Sequence, residues 1–467
     1  MRKFETKVQE LKYKVLLQVS KQTWEGRDSF SVFNEIANTI VKKGEPTMRC
    51  CVYKERAIVA DRIRVGLGGK REKKNIIEII DIACDECPEA GHKVTDLCRG
   101  CISHWCIEVC KLNAITFGEN QKATINKDKC IECGKCASAC PYNAIHNFIR
   151  PCEKACPVDA ISASETGAAT INEEKCIECG ACVYQCPFGA TVDKSLIVDV
   201  INILKTSENN RKYKTHAIVA PAIASQINSS LGKVFSGIKE LGFSEVHEVA
   251  KAADLIAYEE AKELIEKGFL TTSCCPAFVS YIHSKFPEMA EHISSNLSPM
   301  AMMGKILKDK DPNCKVVFIG PCTAKKSEVL ETISGEYVDS VLTFEELPAL
   351  LDSKNIDLDI FPEDIVDQAS RFGRGFANSG GVTAAVEQAI KELGVTDFEF
   401  KPLVCDSIAK CKSALLRASK GVLPFNFIEG MACEGGCANG AGCLIHGPQN
   451  AKAIKKYSEA ATKETLV

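Results

Sequence analysis

The chain has 467 residues, of which 45% are hydrophobic and 25% charged, and its formal net charge is −3. These values fit a globular protein of two or three domains and exclude a disordered or fibrous chain. The first residues lack the apolar core of a secretory signal, and no apolar run is long enough to span a bilayer. We therefore expect a cytoplasmic protein with neither membrane nor nucleic acid as partner. Its 27 cysteines then indicate metal sites rather than disulfides, and an anaerobic, oxygen-sensitive setting.

Residues 1–80 form a first segment, predicted to be a basic α/β unit of unknown role. A helical pattern covers residues 30–42, and a run rich in β-branched residues covers 56–65. The segment has 18 Lys and Arg against 10 Asp and Glu, about +8, which leaves about −11 on the remainder. We expect this charge to steer an acidic protein partner toward the segment.

Residues 81–200 are predicted to form ferredoxin-like iron–sulfur domains. Runs with the spacing Cys-x2-Cys-x2-Cys-x3-Cys-Pro, typical of a ferredoxin half, begin at Cys130 and Cys176, and a half with a longer loop begins at Cys98. Three cysteines of such a half bind one [4Fe-4S] cluster and the fourth reaches the other cluster of the pair. The first pair of halves therefore predicts two clusters, bound by Cys98, Cys101, Cys106 and Cys140 and by Cys130, Cys133, Cys136 and Cys110.

The second pair of halves is degenerate, because Cys152-x3-Cys156-Pro157 has lost its leading cysteines. It predicts a third cluster, bound by Cys156, Cys176, Cys179 and Cys182. The cysteines that remain predict a fourth cluster, bound by Cys84, Cys87, Cys152 and Cys186. Zinc, or an inert Cys84-x2-Cys87 pair, is the alternative to this last cluster. Three or four such clusters make an electron-transfer chain, which needs a redox site at one end and a soluble carrier at the other.

Residues 210–445 read as an α/β domain. Buried strands are predicted at 216–220 and 315–319, each running into a loop that begins with proline, and helices are predicted at 252–267 and 384–393. In α/β folds, ligands bind beyond the carboxyl ends of the strands. Residues 446–467 are predicted to form a polar helical tail.

Three cysteine motifs lie in this α/β region, at residues 272–276 (TSCCP), 320–326 (GPCTAKK) and 429–437 (EGMACEGGC). Cys433 and Cys437, four residues apart, are predicted to share one face of a helical turn. With Cys275 and Cys322 they provide four thiolates, which is enough for a cubane cluster. Cys274 is left over.

In content and order the three motifs resemble the catalytic domain of iron-only ([FeFe]) hydrogenases. The resemblance implies a multidomain α+β and α/β protein, with ferredoxin-like [4Fe-4S] domains followed by a two-lobed α/β hydrogenase domain. It implies an H-cluster, a [4Fe-4S] cubane joined to a diiron unit with CO, cyanide and a dithiolate bridge. The cubane ligands would be Cys275, Cys322, Cys433 and Cys437, of which Cys437 would also bridge to the diiron unit.

The resemblance also implies an activity and partners. The reaction would be the reversible conversion of two protons and two electrons to H2, with ferredoxin or a similar low-potential carrier supplying or accepting electrons. Dedicated maturation enzymes would insert the H-cluster. Cys274 would not bind metal but would exchange protons with the dithiolate bridge. The ordinary thiol pKa of about 8.5 is well suited to this role.

Further site residues follow from the same resemblance. Lys325 would donate a charge-assisted hydrogen bond to a cyanide. Family positions that line the diiron pocket correspond to Ala220, Pro221, Phe376 and Met431.

The resemblance also implies a proton path, because Glu260, Glu263 and Ser294 match the family's relay carboxylates and serine. Glu260 and Glu263 are three residues apart and share a helix face. Lys267 stands where an arginine often closes the outer end. The ordinary alternative is that these two carboxylates are a solvated helix face.

Four departures distinguish this chain from the best-known hydrogenases and resemble the less studied group B, or clostridial-type, branch. They are Gly320, Met300, the Ala277-Phe278 pair and Cys443. Cys443 is either a pocket thiol or a buried one. Three rival functions stay open at this point: a Narf-like iron–sulfur assembly protein, a non-catalytic H2 sensor and a polyferredoxin carrier.

Overall fold

A computed structural model describes residues 4–27, 32–44, 46–70, 74–118, 120–364 and 366–466. It has the predicted architecture, with ferredoxin-like units followed by a two-lobed α/β domain. Within these ranges no helix combines the length and the apolar character that crossing a membrane requires.

The N-terminal segment is helical, with α1 (Lys7–Trp24), α2 (Phe33–Ile40) and α3 (Val52–Gly66). Residues 56–65, the run rich in β-branched residues, are therefore helical. Where the structure describes residues 4–70 they contain no strand, unlike the predicted α/β unit. Ile58, Val59 and Ile63 recur at helical spacing and are buried, the last two in the core that also holds Val15 and Val19 of α1. Packing of this apolar face overrides the modest preference of β-branched residues for strands.

The iron–sulfur part consists of short strands and one-turn helices. They are β1 (Ile77–Ile79), β2 (Gly91–Val94), α4 (Trp105–Glu108), β3 (Ile115–Phe117), β4 (Ala123–Ile125), α5 (Lys135–Ala139), β5 (Ile145–Phe148), α6 (Pro151–Ala155), β6 (Ile161–Ala163), β7 (Ala169–Ile171), α7 (Ala181–Gln185) and β8 (Thr191–Asp193).

Strand pairing divides this part into two nested ferredoxin-like modules. In the outer module β1 pairs antiparallel with β8, and β6 pairs with β7. In the inner module β2 pairs with β5, and β3 with β4. The inner module, residues 91–148, is thus inserted between the first strand of the outer module and the rest of it. The iron–sulfur part begins at β1, a few residues before the predicted boundary at residue 81.

The remaining elements form the α/β domain and a C-terminal helix. They are α8 (Ile197–Thr206), β9 (Thr215–Val219), α9 (Leu231–Glu240), β10 (Glu245–Glu248), α10 (Ala250–Lys267), β11 (Leu270–Thr271), α11 (Pro276–Lys285), α12 (Pro299–Lys310), β12 (Lys315–Gly320), α13 (Ala324–Glu331), α14 (Ser334–Tyr337), β13 (Ser340–Thr343), α15 (Leu347–Ser353), α16 (Arg371–Gly375), α17 (Gly381–Glu392), β14 (Pro402–Cys405), α18 (Ile408–Ala418), β15 (Phe427–Gly430) and α19 (Gln449–Glu459).

Two parallel sheets define the two lobes. One has the strand order β10-β9-β12-β13 and the other β11-β15-β14. The carboxyl ends of β9 and β12 lead into Ala220-Pro221 and Pro321-Cys322, whereas those of β11 and β15 lead into the motifs of Cys274-Cys275 and Cys433. All three cysteine motifs therefore follow carboxyl ends of parallel strands, which is where α/β folds bind ligands.

Candidate active site and its chain of cysteine sites

Four of the cysteines that follow these strands form one partly buried group. Burial, reinforced by the neighbouring Cys275 thiol, raises the pKa of Cys322 to about 11. Burial and the Cys275 and Cys322 thiols together raise the pKa of Cys437 to about 12. The pKa of Cys433 is raised well above its usual value by burial and the same two thiols. The structure thus brings together the four residues that the sequence assigned to one cubane.

The backbone around Cys433 and Cys437 differs from the predicted helical turn. Gly435 and Gly436 have positive φ values of 77° and 87°, and a short 3-10 turn begins only at Cys437. A Cβ on Gly436 would lie 2.7 Å from the Ser379 backbone nitrogen, so glycine is required by space as well as by conformation. The two cysteines reach the same site across a glycine loop.

Sulfur spacing tests which metal these thiols fit. Tetrahedral zinc, with Zn–S bonds of about 2.3 Å, would hold sulfurs about 3.8 Å apart. In the described part of the chain, no three cysteine sulfurs lie within 4.8 Å of one another. The described residues therefore offer no three-sulfur zinc site, whereas the positive irons of a cubane would stabilise thiolates that burial otherwise keeps protonated.

Cys274 lies beside the four-cysteine group and faces two carboxyl groups. Burial raises the pKa of its thiol well above the usual value, and Glu260 and then the Cys275 and Cys437 thiols add to the shift, so the pKa of about 8.5 expected from sequence is wrong for this thiol. Glu429 also raises it, from a fully buried position at the end of β15.

Glu429 is a site residue that the sequence did not single out. Its carboxylate accepts hydrogen bonds of 2.7 Å from the backbone N–H groups of Gly380 and Thr383, at the N-terminus of α17. A carboxylate is stabilised there by free N–H groups and the helix dipole. Its position directly before Gly430-Met431 in the third motif was the available signal.

The predicted proton-path residues occupy a line from Cys274 to the surface. Glu260 is fully buried, neither of its carboxyl oxygens makes a hydrogen bond of ordinary geometry, and burial raises its pKa to about 8. The nearby Ser294 hydroxyl donates to Glu263 at 3.0 Å. Glu263 in turn pairs with the half-exposed Lys267 at 2.7 Å. Burial opposes ionisation of Glu263, but its pKa is lowered because Lys267 and Ser295 donate to its carboxylate. Glu260 is therefore not part of a solvated helix face.

Lys325 lies under Cys274. Its ammonium donates to the Cys274 carbonyl at 3.2 Å and to the Glu328 carboxylate at 2.6 Å. Burial, the largest single effect, would lower its pKa, but the Glu328 carboxylate together with the Cys322 and Cys274 thiols raises it overall. Because an ammonium has three donors, one is left for a further acceptor at the site.

The other predicted pocket residues lie around the same site. Phe376 and Met431 are buried in an apolar cluster against which Cys274 packs. Ala220 is buried at the end of β9, and the turn that begins at Pro221 packs against residues 437–439.

The departures from the best-known hydrogenases have local packing reasons. A Cβ on Gly320 would lie 2.3 Å from the Phe318 ring, so this ring fills the space that a larger residue would need. Phe278 is fully buried and its ring covers Gly430. Met300 is buried in the core of the first lobe. Cys443 is buried behind Cys437, where its thiol donates to the Ala438 carbonyl at 3.4 Å.

The inner module holds the first two predicted sets of accessory ligands. Burial and the nearby Cys101 and Cys140 thiols raise the pKa of Cys106, which agrees with their assignment to one set. Burial likewise raises the pKa of Cys136, where Cys130 and Cys133 add to the shift. The fourth cysteine of each half accepts a hydrogen bond from the N–H four residues on, a repeat seen at Cys110, Cys140, Cys156 and Cys186.

The outer module holds the other two sets, each lining one small cavity. The members of one set are Cys156, Cys176, Cys179 and Cys182. Those of the other are Cys84, Cys87, Cys152 and Cys186. The half that ends with Cys152 and Cys156 has therefore not lost its leading cysteines: they are Cys84 and Cys87, separated from it along the chain by the inserted inner module.

The outer module abuts the four-cysteine site. The Thr323 hydroxyl, next to Cys322, donates to the Glu178 carbonyl at 3.0 Å, and the Cys179 thiol contributes to the raised pKa of Cys433.

Lys326, which the sequence did not single out as a site residue, is fully buried and pairs with Asp193 of β8 at 2.8 Å and with Glu346 at 2.9 Å. Its ion pairs hold the end of the outer module against the first lobe.

Fold and site together define an iron–sulfur redox protein with ferredoxin-like units attached to a buried cysteine site between two α/β lobes. Residues 213–441 match the family model "Iron only hydrogenase large subunit, C-terminal domain". Residues 123–146 and 169–191 match the model "4Fe-4S binding domain". Residues 213–441 therefore form a domain of the iron-only hydrogenase large-subunit family.

Curated relatives include both hydrogenases and proteins of another kind. Iron hydrogenase 1 of Clostridium pasteurianum is 28% identical over 381 residues, covering 69% of this chain and 65% of the relative. The NADP-reducing hydrogenase subunit HndD of Solidesulfovibrio fructosivorans is 29% identical over 316 residues, covering 55% and 54%. The nuclear prelamin A recognition factor of Homo sapiens is 25% identical over 260 residues, covering 44% and 57%. The chain thus spans less than two thirds of the length of each of these relatives.

Solved structures that resemble the chain include an apo [FeFe]-hydrogenase HydA1 from Chlamydomonas reinhardtii, at 20% identity and a TM-score of 0.46. The match covers 58% of this chain and 89% of that one.

Proposed function

We propose that the protein is an [FeFe] hydrogenase that reversibly converts two protons and two electrons to H2. The observation that carries this proposal is the fifth thiol, Cys274, which lies half-buried beside a group of four. A cubane needs only four cysteine ligands, so Cys274 is free for another task. Its neighbour Glu260 begins a line of proton-exchanging groups that reaches half-exposed Lys267.

An H-cluster would be held by Cys275, Cys322, Cys433 and Cys437, and when bound it would supply the redox chemistry of H2. The protein would provide a buried pocket that excludes water and fixes the cluster. Lys325 would donate its remaining N–H to an anionic ligand, while Glu328 and the Cys274 carbonyl hold the ammonium in place.

Protons would pass through this chain's own side chains. With a pKa near 8, the Glu260 carboxyl is protonated at neutral pH and can donate toward Cys274. Ser294 both donates and accepts hydrogen bonds, so its hydroxyl can pass a proton from Glu263 inward. Lys267 closes the outer end through its ion pair with Glu263.

Electrons would travel through four accessory [4Fe-4S] clusters, two in each module. The outer set next to Cys322 would be the last before the active site, and the inner module would receive electrons from ferredoxin. All 27 cysteines are free of disulfides, which suits a reducing, cytoplasmic setting and low-potential clusters.

The match to the nuclear prelamin A recognition factor supports a second candidate, the Narf-like iron–sulfur assembly protein of the sequence analysis, which we take to have no diiron unit. Such a protein would use the same four cysteines but would have no need of Cys274 or of Glu260. The H-cluster itself therefore separates the two functions.

Infrared spectroscopy of protein matured anaerobically tests the proposal. We expect bands from iron-bound CO and cyanide, together with exchange of H2 with D2O. Apoprotein reconstituted with iron and sulfide alone is the matched control and should show neither. Matured protein with iron–sulfur clusters but without CO bands would favour the second candidate and overturn the hydrogenase.

A further inference from the structure

Three metal-ligating side chains meet at the amino end of the first-lobe sheet, away from all the cysteine sites. They are His216 on β9 and Glu245 and His247 on β10. His216 lies four residues before Ala220, so the group is about 13 Å along the strand from the pocket end of β9.

Strand register explains why the three side chains meet. Glu245 is paired directly with His216 in the parallel ladder, and His247 is two residues further along β10. Because side chains alternate between the two faces of a sheet, residues paired side by side or two apart lie on the same face.

The distances between the ligand atoms fit one metal ion. His216 Nδ1 lies 3.1 Å from His247 Nε2, and the Glu245 carboxylate oxygen lies 3.9 Å and 3.2 Å from these two nitrogens. The point equidistant from all three atoms is about 2.0 Å from each, which is the bond length of zinc to histidine nitrogen or carboxylate oxygen. In the residues that the structure describes, no other three histidine, cysteine or carboxylate side chains approach one another this closely.

Protonation and charge are also compatible with a cation. Burial lowers the pKa of His216, and burial with the neighbouring His216 ring lowers the pKa of His247 to about 4, so both rings are neutral at pH 7 as ligation requires. Glu245 and Asp311 supply negative charge, whereas Lys214, Lys251 and Lys310 oppose a cation.

We propose that His216, Glu245 and His247 bind a divalent transition-metal ion, zinc being the best fit to two imidazoles and one carboxylate. The ion would tie edge strand β10 to β9. Three protein ligands leave a position open for water, and Glu245 is exposed, so the ion would exchange with solution. With the opposing lysines we expect micromolar affinity.

The proposal is tested by measuring how much zinc the full chain binds after anaerobic purification with its clusters loaded. After equilibration with zinc in a chelator buffer, elemental analysis should find one zinc atom per chain in addition to the iron of the clusters. His247→Ala and Glu245→Gln should each weaken binding at least tenfold with iron unchanged. His283→Ala, which removes an exposed histidine of α11 in the same domain, is the matched control and should bind zinc as the parent chain does.

X-ray absorption at the zinc edge identifies the ligands independently. We expect nitrogen and oxygen neighbours at about 2.0–2.2 Å and no sulfur neighbours at about 2.3 Å. Three results would each overturn the site. They are equal zinc binding by the parent chain and His247→Ala, sulfur neighbours around the zinc, and no zinc in the parent chain at micromolar free zinc. None of these results depends on hydrogenase activity.

Discussion

The Cys274 thiol lies near the two features that give the site its chemistry, the group of four cysteines and the buried carboxyl of Glu260, since both raise its pKa. Cys274→Ala should keep the H-cluster, since four ligands remain, but should lower H2 evolution at least 100-fold because a general acid is lost. Infrared bands and dye-driven H2 evolution measure the two effects. Cys314→Ala, which removes a buried thiol in the core of the first lobe, should change neither. Parental turnover in Cys274→Ala would refute the proton role.

Glu260 should control the pH dependence of turnover. Its pKa of about 8 means that the carboxyl is protonated below pH 8 and ionised above it. If Glu260 donates the proton, H2 evolution should fall as the pH rises through about 8. Glu260→Gln should lose at least tenfold in rate at pH 7, whereas Glu259→Gln, on the exposed neighbour, should not. Equal rates in the two variants would assign Glu260 to packing alone.

The candidate site residues that sequence predicted inside motifs, such as Cys274 and Lys325, lie beside the four-cysteine group. Sequence did not identify Glu429 or Lys326 as site residues. Their importance comes from burial and from partners distant in the chain, Gly380 for Glu429 and Asp193 for Lys326. No local pattern records such pairing.

At the scale of single elements, long and strongly patterned segments were predictable and short or ambiguous ones were not. The strands predicted at 216–220 and 315–319 and the helix predicted at 252–267 are confirmed within one or two residues. The run at 56–65 is helical because its apolar face packs on α1, and the loop between Cys433 and Cys437 is set by two glycines with positive φ. Both outcomes depend on tertiary contacts.

The fixed position of α13 against β8 depends on Lys326. Lys326→Met would leave the buried Glu346 without its ammonium partner and Asp193 with Lys12 alone. Breaking a buried pair in this way should destabilise the protein by about 3 kcal/mol. Chemical denaturation under anaerobic conditions measures the loss. Lys305→Met, which removes an exposed pair with Asp309, should stay within about 0.5 kcal/mol of the parent. Equal stability of the two variants would show that the buried network contributes little.

At the scale of the whole molecule, the nesting of one ferredoxin-like module in another was not predictable from motif spacing. When the ferredoxin halves are taken in chain order, the two halves of the inner module pair as neighbours, which agrees with the structure. The same order makes the outer module look as if one of its halves were degenerate. The pairing of β1 with β8, more than a hundred residues apart, supplies the missing cysteines. Elimination among the cysteines nevertheless gave the same four residues that line one cavity of the outer module.

The nested arrangement makes a prediction about cluster number. Cys186→Ala should lower the iron content by about four atoms per chain, because one ligand of a complete [4Fe-4S] set is lost. Iron and sulfide analysis of anaerobically reconstituted protein measures this. Cys443→Ala, on a buried thiol outside the four-cysteine sets, is the control and should keep all iron. Unchanged iron in Cys186→Ala, or zinc in place of the missing iron, would limit the accessory clusters to three.

The basic N-terminal segment makes a prediction about the electron carrier. Part of its positive charge is not available to a partner, because Lys12 pairs with Asp193 and Arg62 is buried. Lys42 and Lys43, in contrast, are exposed. If these lysines steer an acidic ferredoxin, the double variant Lys42→Glu, Lys43→Glu should slow ferredoxin-driven H2 evolution severalfold at low salt. Added salt should reduce this difference in rate, because salt screens exposed charges. Dye-driven evolution should not change. The same reversal at Lys452 and Lys455, exposed on α19, is the control for net charge. A ferredoxin-dependent rate that responds neither to salt nor to the first pair would move the docking surface elsewhere.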